Sequence, residues 1–526
     1  LIIPLMASLP LVVGCADFQA EFVNDERVAT LATTSPAAAT NLKNSLDAHF
    51  GTPNALVAWA ALPIEFGEIS GTVLSATGNS LRVSLESEPP AGLSNVAVVL
   101  ETKTPQNRTV TSYDATTRTL TLAEQEAAPD VGPGTSLRLI GHKLQAGRRL
   151  YMQHCMHCHG VTGDGNGPTA RYIRNHRFNP LPRDYRHGKF KFTSTKIGFN
   201  ASRDDLRRTI KQGLAGTYMP SFLLLESSQL DAIVEFVRFL AMRGEVERRL
   251  LDHLQPLMPT DDGTPPGDLA ALEKELAVDT FDEAFADAAS LVAENWVNAE
   301  DPDNQVNPTT PRPPDTEKSR IRGRDLFVDT KINCAKCHGE GGRGNGAFLK
   351  DIQKIPGTQD DYPTPGLRDA WHKMIQPRNL TSGIYRGGRR PLDVFRRLTV
   401  GIKATPMAGF DEPTLSEVDR WHIVNYVLSI PIDGAFIDEY GHQYHGGDRS
   451  HADHDHAHDH DKPADKPADK PADKPADKPA DKPADKPADK PADKPADKPA
   501  DKPADKPADK PADKPKTTQP KSAKDK

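Results

Sequence analysis

The pentapeptide Cys-x-x-Cys-His occurs twice in this chain, as Cys155-Met156-His157-Cys158-His159 and as Cys334-Ala335-Lys336-Cys337-His338. Each copy heads a longer duplication. With His159 aligned on His338, Gly160, Gly163, Gly165, Asn166 and Gly167 fall on Gly339, Gly342, Gly344, Asn345 and Gly346. Further on, Pro182-Arg183-Asp184 falls on Pro377-Arg378-Asn379, and Asp205 and Arg208 fall on Asp393 and Arg396. Gly213, Thr217, Met219 and Phe222 then match Gly401, Thr405, Met407 and Phe410 at identical offsets. One fold unit is therefore written twice, with a longer insertion ahead of Arg378 in the second copy. The apolar spacing around both copies is helical.

The spacing has a chemical reason. Two thiols on one turn can each add to a vinyl group of a haem, and the adjacent histidine is then placed beneath the ring as an iron ligand. A thioredoxin-like redox pair would need a βαβ setting, which neither copy has, and a zinc site would need further ligands at a fixed offset. The chain has five cysteines, and the two pairs leave only Cys15. The expected cofactors are two covalently bound haems c. Cys155, Cys158, Cys334 and Cys337 are the attachment residues, and His159 and His338 the proximal iron ligands.

Eight methionines compete for the distal position. Met6 lies in the N-terminal apolar stretch, Met152 and Met156 beside an attachment site, and Met258 between the copies. Met242 and Met374 have no counterpart in the other copy. Only Met219 and Met407 match, each in a loop bearing glycine and proline ahead of an amphipathic helix, so they are the expected sixth ligands. Histidine–methionine ligation raises the haem potential and leaves no open position on iron. That implies outer-sphere electron transfer: an electron carrier rather than an enzyme. The alternative is a dihaem peroxidase-like enzyme in which one distal ligand is labile. Arg183 and Arg378 are the expected propionate partners, because guanidinium matches carboxylate in a bidentate way.

Both copies resemble class I cytochrome c domains. In that family a first helix carries a glycine and an aromatic residue just before the haem cysteines, here Gly147 with Tyr151 and Gly323 with Phe327. A last helix carries an aromatic residue that packs on the first, here Phe236 and Tyr426. The glycine-rich stretch and Pro182-Arg183-Asp184-Tyr185 are similar to cytochrome c subunits of bacterial respiratory complexes. That resemblance implies an exported respiratory chain, with a membrane oxidase or a quinol-oxidising complex as redox partner.

The remaining chain is read around these copies. Residues 1–15 are an apolar stretch ending in Val12-Val13-Gly14-Cys15, which resembles a bacterial lipobox. The expectation is a signal peptide, acylation at Cys15, and a lipid-anchored, periplasm-facing protein. Residues 16–66 form an N-terminal helical or linker segment. Residues 67–143 alternate as six short β-prone runs with turn signals between them, which predicts a small antiparallel barrel or sandwich. The first haem domain spans 144–250, a Pro- and Asp-rich linker with one helix (Asp268 to Trp296) spans 251–316, and the second haem domain spans 317–440. Residues 441–526 form a tail expected to be disordered. It holds seven histidines between His442 and His460, a candidate site for copper, zinc or nickel, followed by Asp-Lys-Pro-Ala repeats whose proline every fourth residue forbids a helix. The formal net charge of -7 gives no basic face for nucleic acid. The fold class is thus mainly α: two cytochrome c-like helical domains, a β-module and the tail.

Overall fold

In the computed structural model, residues 21–90, 92–123, 131–173, 181–260, 262–276 and 278–433 are described. Cys15 and the histidine-rich tail lie outside them. The chain opens with α1 (Arg27–Thr34) and α2 (Pro36–Phe50), where Ser35 caps the second helix and Pro36 supplies its fixed φ at the first position. The two-residue strands β1 (Gly51–Thr52) and β2 (Ala55–Leu56) form a small hairpin.

Six strands follow: β3 (Glu68–Thr77), β4 (Ser80–Leu85), β5 (Val96–Glu101), β6 (Gln106–Asp114), β7 (Thr119–Leu122) and β8 (Ser136–Ile140). They close into an antiparallel barrel in the order β3-β4-β7-β6-β5-β8, with β8 returning to β3 through the register Gly71 opposite Leu137. Alternation does the work. Leu81 and Val83 of β4, and Val96, Val98 and Leu100 of β5, point inward and are buried, so the barrel has a core of its own.

The first helical segment runs through α3 (His142–His154), α4 (Met156–His159), α5 (Ala170–Ile173), α6 (Arg203–Gln212) and the long α7 (Ser227–His253). Residues between the repeats form α8 (Leu269–Glu275) and α9 (Val278–Asn298), so the single helix expected there is two. They do not hang free. Phe281, Phe285, Val292 and Trp296 join one apolar core with α2, α3 and α7. The second segment contains α10 (Glu317–Val328), α11 (Cys334–His338), α12 (Pro391–Val400) and α13 (Glu417–Asp433), around a smaller core. The insertion before Arg378 carries a two-residue hairpin, β9 (Leu367–Arg368) with β10 (Met374–Ile375). Among the described residues no helix is long and apolar enough to cross a membrane.

The two helical segments meet. Val306 N donates to Ser194 O, Lys403 Nζ donates to Thr195 Oγ1 at 2.7 Å, and Arg208 Nη1 lies 4.0 Å from Asp393 Oδ1. The last pair places the matching helices α6 and α12 next to one another, because Asp205 and Asp393 hold equivalent positions in the two repeats.

Candidate functional site

Each Cys-x-x-Cys-His copy is positioned by the same helix crossing. α3 packs on α7 so closely that a Cβ at Gly147 would lie 2.0 Å from Ala232 O, and α10 packs on α13 so that one at Gly323 would lie 2.0 Å from His422 O. Only glycine allows those approaches. One turn on, Tyr151 meets Phe236 edge to face at 5.0 Å and Phe327 meets Tyr426 at 5.4 Å. The two attachment motifs begin just past these crossings, as the helical turns α4 and α11.

The histidines are set identically. His159 Nδ1 lies 3.2 Å from Arg183 O and His338 Nδ1 lies 3.2 Å from Arg378 O. A carbonyl can only accept, so Nδ1 carries the proton and Nε2 keeps the lone pair a metal needs. Burial lowers the pKa of both, that of His159 to about 4, which keeps the rings neutral. Burial also raises the thiols: Cys155 and Cys334 to about 12, with Cys158 and Cys337 shifted in the same direction.

The methionine loops are copies of each other as well. Thr217 Oγ1 donates to Leu214 O at 2.7 Å and accepts from Met219 N at 3.1 Å, while Leu214 N returns to Met219 O. Thr405, Ile402 and Met407 repeat that pattern at 2.7 and 3.3 Å. The hydroxyl thus closes a tight loop that fixes where each thioether is presented.

All ten haem-site residues expected from the sequence come together. Both thiol pairs, both histidines, both methionines, Arg183 and Arg378 line one continuous cavity of about 520 Å³. Sequence reasoning missed three further cations on its wall, Lys191, Arg386 and Arg397. A signal for two of them was present, since Lys191 follows Arg183 at the offset by which Arg386 follows Arg378. Burial lowers the pKa of Arg183 and Arg397 to about 10 and that of Lys191 to about 8. Arg386 Nε is buried with no hydrogen-bond partner.

These residues fit haem c. Each copy offers two thiols on one turn, a neutral imidazole with Nε2 available, and a thioether, all facing the same apolar cavity. The surplus of partly buried cations, with one buried nitrogen unpaired, is what a cofactor bearing carboxylates would complete.

The chain matches the cytochrome c family over residues 144–241 and 321–431, which cover both repeats. The two repeats are thus cytochrome c-type domains. The match implies covalently bound haem c and a haem-based redox or electron-transfer role. No curated protein matches the chain. A solved structure, a chain of the reducing HAO-like protein complex of Kuenenia stuttgartiensis, is similar at 23% identity, covering 54% of this chain and 96% of that one with a TM-score of 0.38. The expectation that this chain is no enzyme is corrected by that neighbour, which belongs to an HAO-like complex, and the exclusion is withdrawn. The physical reason is that matched methionine loops keep substrate off iron only while both thioethers stay bound. At that TM-score the likeness carries no argument for any particular activity.

Proposed function

We propose that this chain holds two haems c, one on Cys155, Cys158, His159 and Met219 and the other on Cys334, Cys337, His338 and Met407, and that it transfers electrons through them. The observation that carries this reading is the repetition, inside one cavity, of the same thiol, imidazole and thioether set on loops held by the same hydrogen bonds. Haem c supplies a one-electron couple near the potentials that histidine–methionine ligation favours. The protein's part is to hold the imidazole by its Nδ1 proton, fix the thioether through Thr217 or Thr405, and exclude water with α7 and α13. Arg183 and Arg378 are assigned to propionates. The lipobox-like Val12-Val13-Gly14-Cys15 supports export and anchoring at Cys15, which suits a partner in the membrane such as an oxidase or a quinol-oxidising complex.

An optical redox titration of the purified protein, repeated with carbon monoxide on the reduced form, tests this. Two low-spin c-type transitions that carbon monoxide leaves unshifted are expected. A carbon monoxide shift in either transition would overturn the stable six-coordinate assignment at that haem.

A further inference from the structure

The two-haem reading leaves the cation surplus of the cavity unexplained in one respect: where it sits. Lys191 and Arg386 occupy equivalent positions in the two repeats, and both line the cavity. Each also reaches into the opposite segment. Lys191 Nζ lies 3.6 Å from Asp369 Oδ2, and Arg386 Nη2 donates to Gly216 O at 3.3 Å. Gly216 belongs to the Met219 loop, and a Cβ there would lie 2.7 Å from Arg378 Nη2, so that loop is wedged against both arginines of the second segment.

The charge count is one-sided. The cavity wall carries five cations (Arg183, Lys191, Arg378, Arg386 and Arg397) and a single carboxylate, Asp205. Asp205 is already satisfied: its Oδ2 accepts from Ser194 N at 2.7 Å and its Oδ1 pairs with Arg208 at 2.9 Å. Off the wall, Asp369 pairs with Lys191 and also faces Arg183, Asp184 faces Arg183, and Asp393 faces Arg397, so Arg378 and Arg386 are the cations with the least acidic company. A partly buried cation whose charge is incompletely balanced is costly, and the buried donor Arg386 Nε with no acceptor adds to the cost. Each haem c brings two propionates, which are the anions this wall lacks.

Resting on the two-haem reading, we propose that Lys191 and Arg386 bind haem propionates at the boundary between the segments, in one cluster that serves both haems. Each cation then acts on both irons, because a charge in a low-dielectric interior is felt over longer distances than one in water. A cation disfavours ferric iron, so losing either should lower both potentials.

The test uses the full-length, haem-loaded protein. Haem content comes from a pyridine haemochrome assay, and midpoints from potentiometric titration of wild type, K191Q, R386Q and K191R. In each glutamine variant both midpoints are expected to fall while haem content stays at two per chain, and K191R should restore both. Two haems whose midpoints move one at a time, or not at all, would overturn this proposal and leave the two-haem reading standing. A haem content of one per chain in the wild type would overturn that reading and the shared cluster with it. Soret circular dichroism of the unaltered protein gives an answer that needs no variant. A two-signed exciton couplet is expected from haems meeting at one cluster, and a single-signed band would refute it.

Discussion

The two repeats hold the same candidate ligands in the same loops, yet their surroundings differ. Behind His159 the ring of Tyr185 stacks at 4.7 Å and 20°, Phe190 stacks on Tyr185 at 5.8 Å, and Trp296 meets Phe190 edge on at 6.2 Å. The row ends at the partly buried Glu245, which accepts from Trp296 Nε1 at 2.6 Å and from Asn200 Nδ2 at 3.2 Å. In the second repeat Leu380 stands where Tyr185 does in the first, and among the described residues no ring stacks closely on His338; Phe327 is 6.3 Å away and tilted. The first segment is further wrapped by α2 and α9, while the second has its own small core. Duplication preserves the contacts that hold the ligands, and what packs behind them is left to diverge.

The largest test of the comparison exchanges the distal ligands. M219H and M407H are each expected to lower one midpoint by a sizeable part of the roughly 0.8 V that axial ligands span. If either leaves the titration unchanged, that methionine is not a ligand and the equivalence of the loops is broken. Next come the helix crossings. G147V and G323V each push a side chain into a backbone carbonyl and should destabilise the protein by about 3 kcal/mol or more. Thermal melts showing less than 1 kcal/mol for one of them would mean that its crossing has slack the other lacks.

Glu245 supplies a pH test confined to the first segment. Burial, opposed in part by the Trp296 and Asn200 hydrogen bonds, raises its pKa from 4.5 to about 7. A group raised on folding contributes stability that is complete below the unfolded value and is lost as pH rises through the folded one. Stability should therefore fall between about pH 4.5 and pH 7 by on the order of 3 kcal/mol from this group, and E245Q should flatten that slope. Denaturation curves with the same pH slope in both proteins would show that the carboxyl is ionised throughout. The smallest effect is expected at the loop hydroxyls. T217V and T405V remove one donor and one acceptor each, costing about 1 kcal/mol. Both should weaken the methionine–iron charge-transfer band to a similar extent, and unequal loss would mark one loop as braced by its neighbours.

How much of this could be read beforehand follows from how local each signal is. The barrel was legible because alternation is local: each of the six runs falls on one of the strands β3 to β8, two of them with identical ends and none more than four residues off. That the candidate haem-site residues would line one cavity was legible because the repeat compares the chain with itself. Arg386 and Lys191 could have been found the same way, by extending the offset from Arg378 and Arg183. The packing of α9 was harder to see. Its flanks are rich in proline and aspartate and read as a connection, although Phe281, Phe285, Val292 and Trp296 recur at helical spacing. Glu245 carried no local signal. On a helix it reads as a solvent-facing charge, and only its neighbours from α9 and from the Asn200 loop bury it. The insertion was equally silent. Trp371 reaches Arg183 of the other segment, 3.9 Å from ring to guanidinium, through a contact that no periodicity announces.

The buried thiols carry a consequence for biogenesis. Cys155 and Cys334 are part-buried on the wall of a cavity that both segments close, and burial raises their thiols to about 12. A thiol so shifted is a poor nucleophile at neutral pH. Covalent attachment of a haem is therefore expected before the segments dock, while the chain is still open. The finished fold is a lock that seals only around a chain that has already received its cofactor.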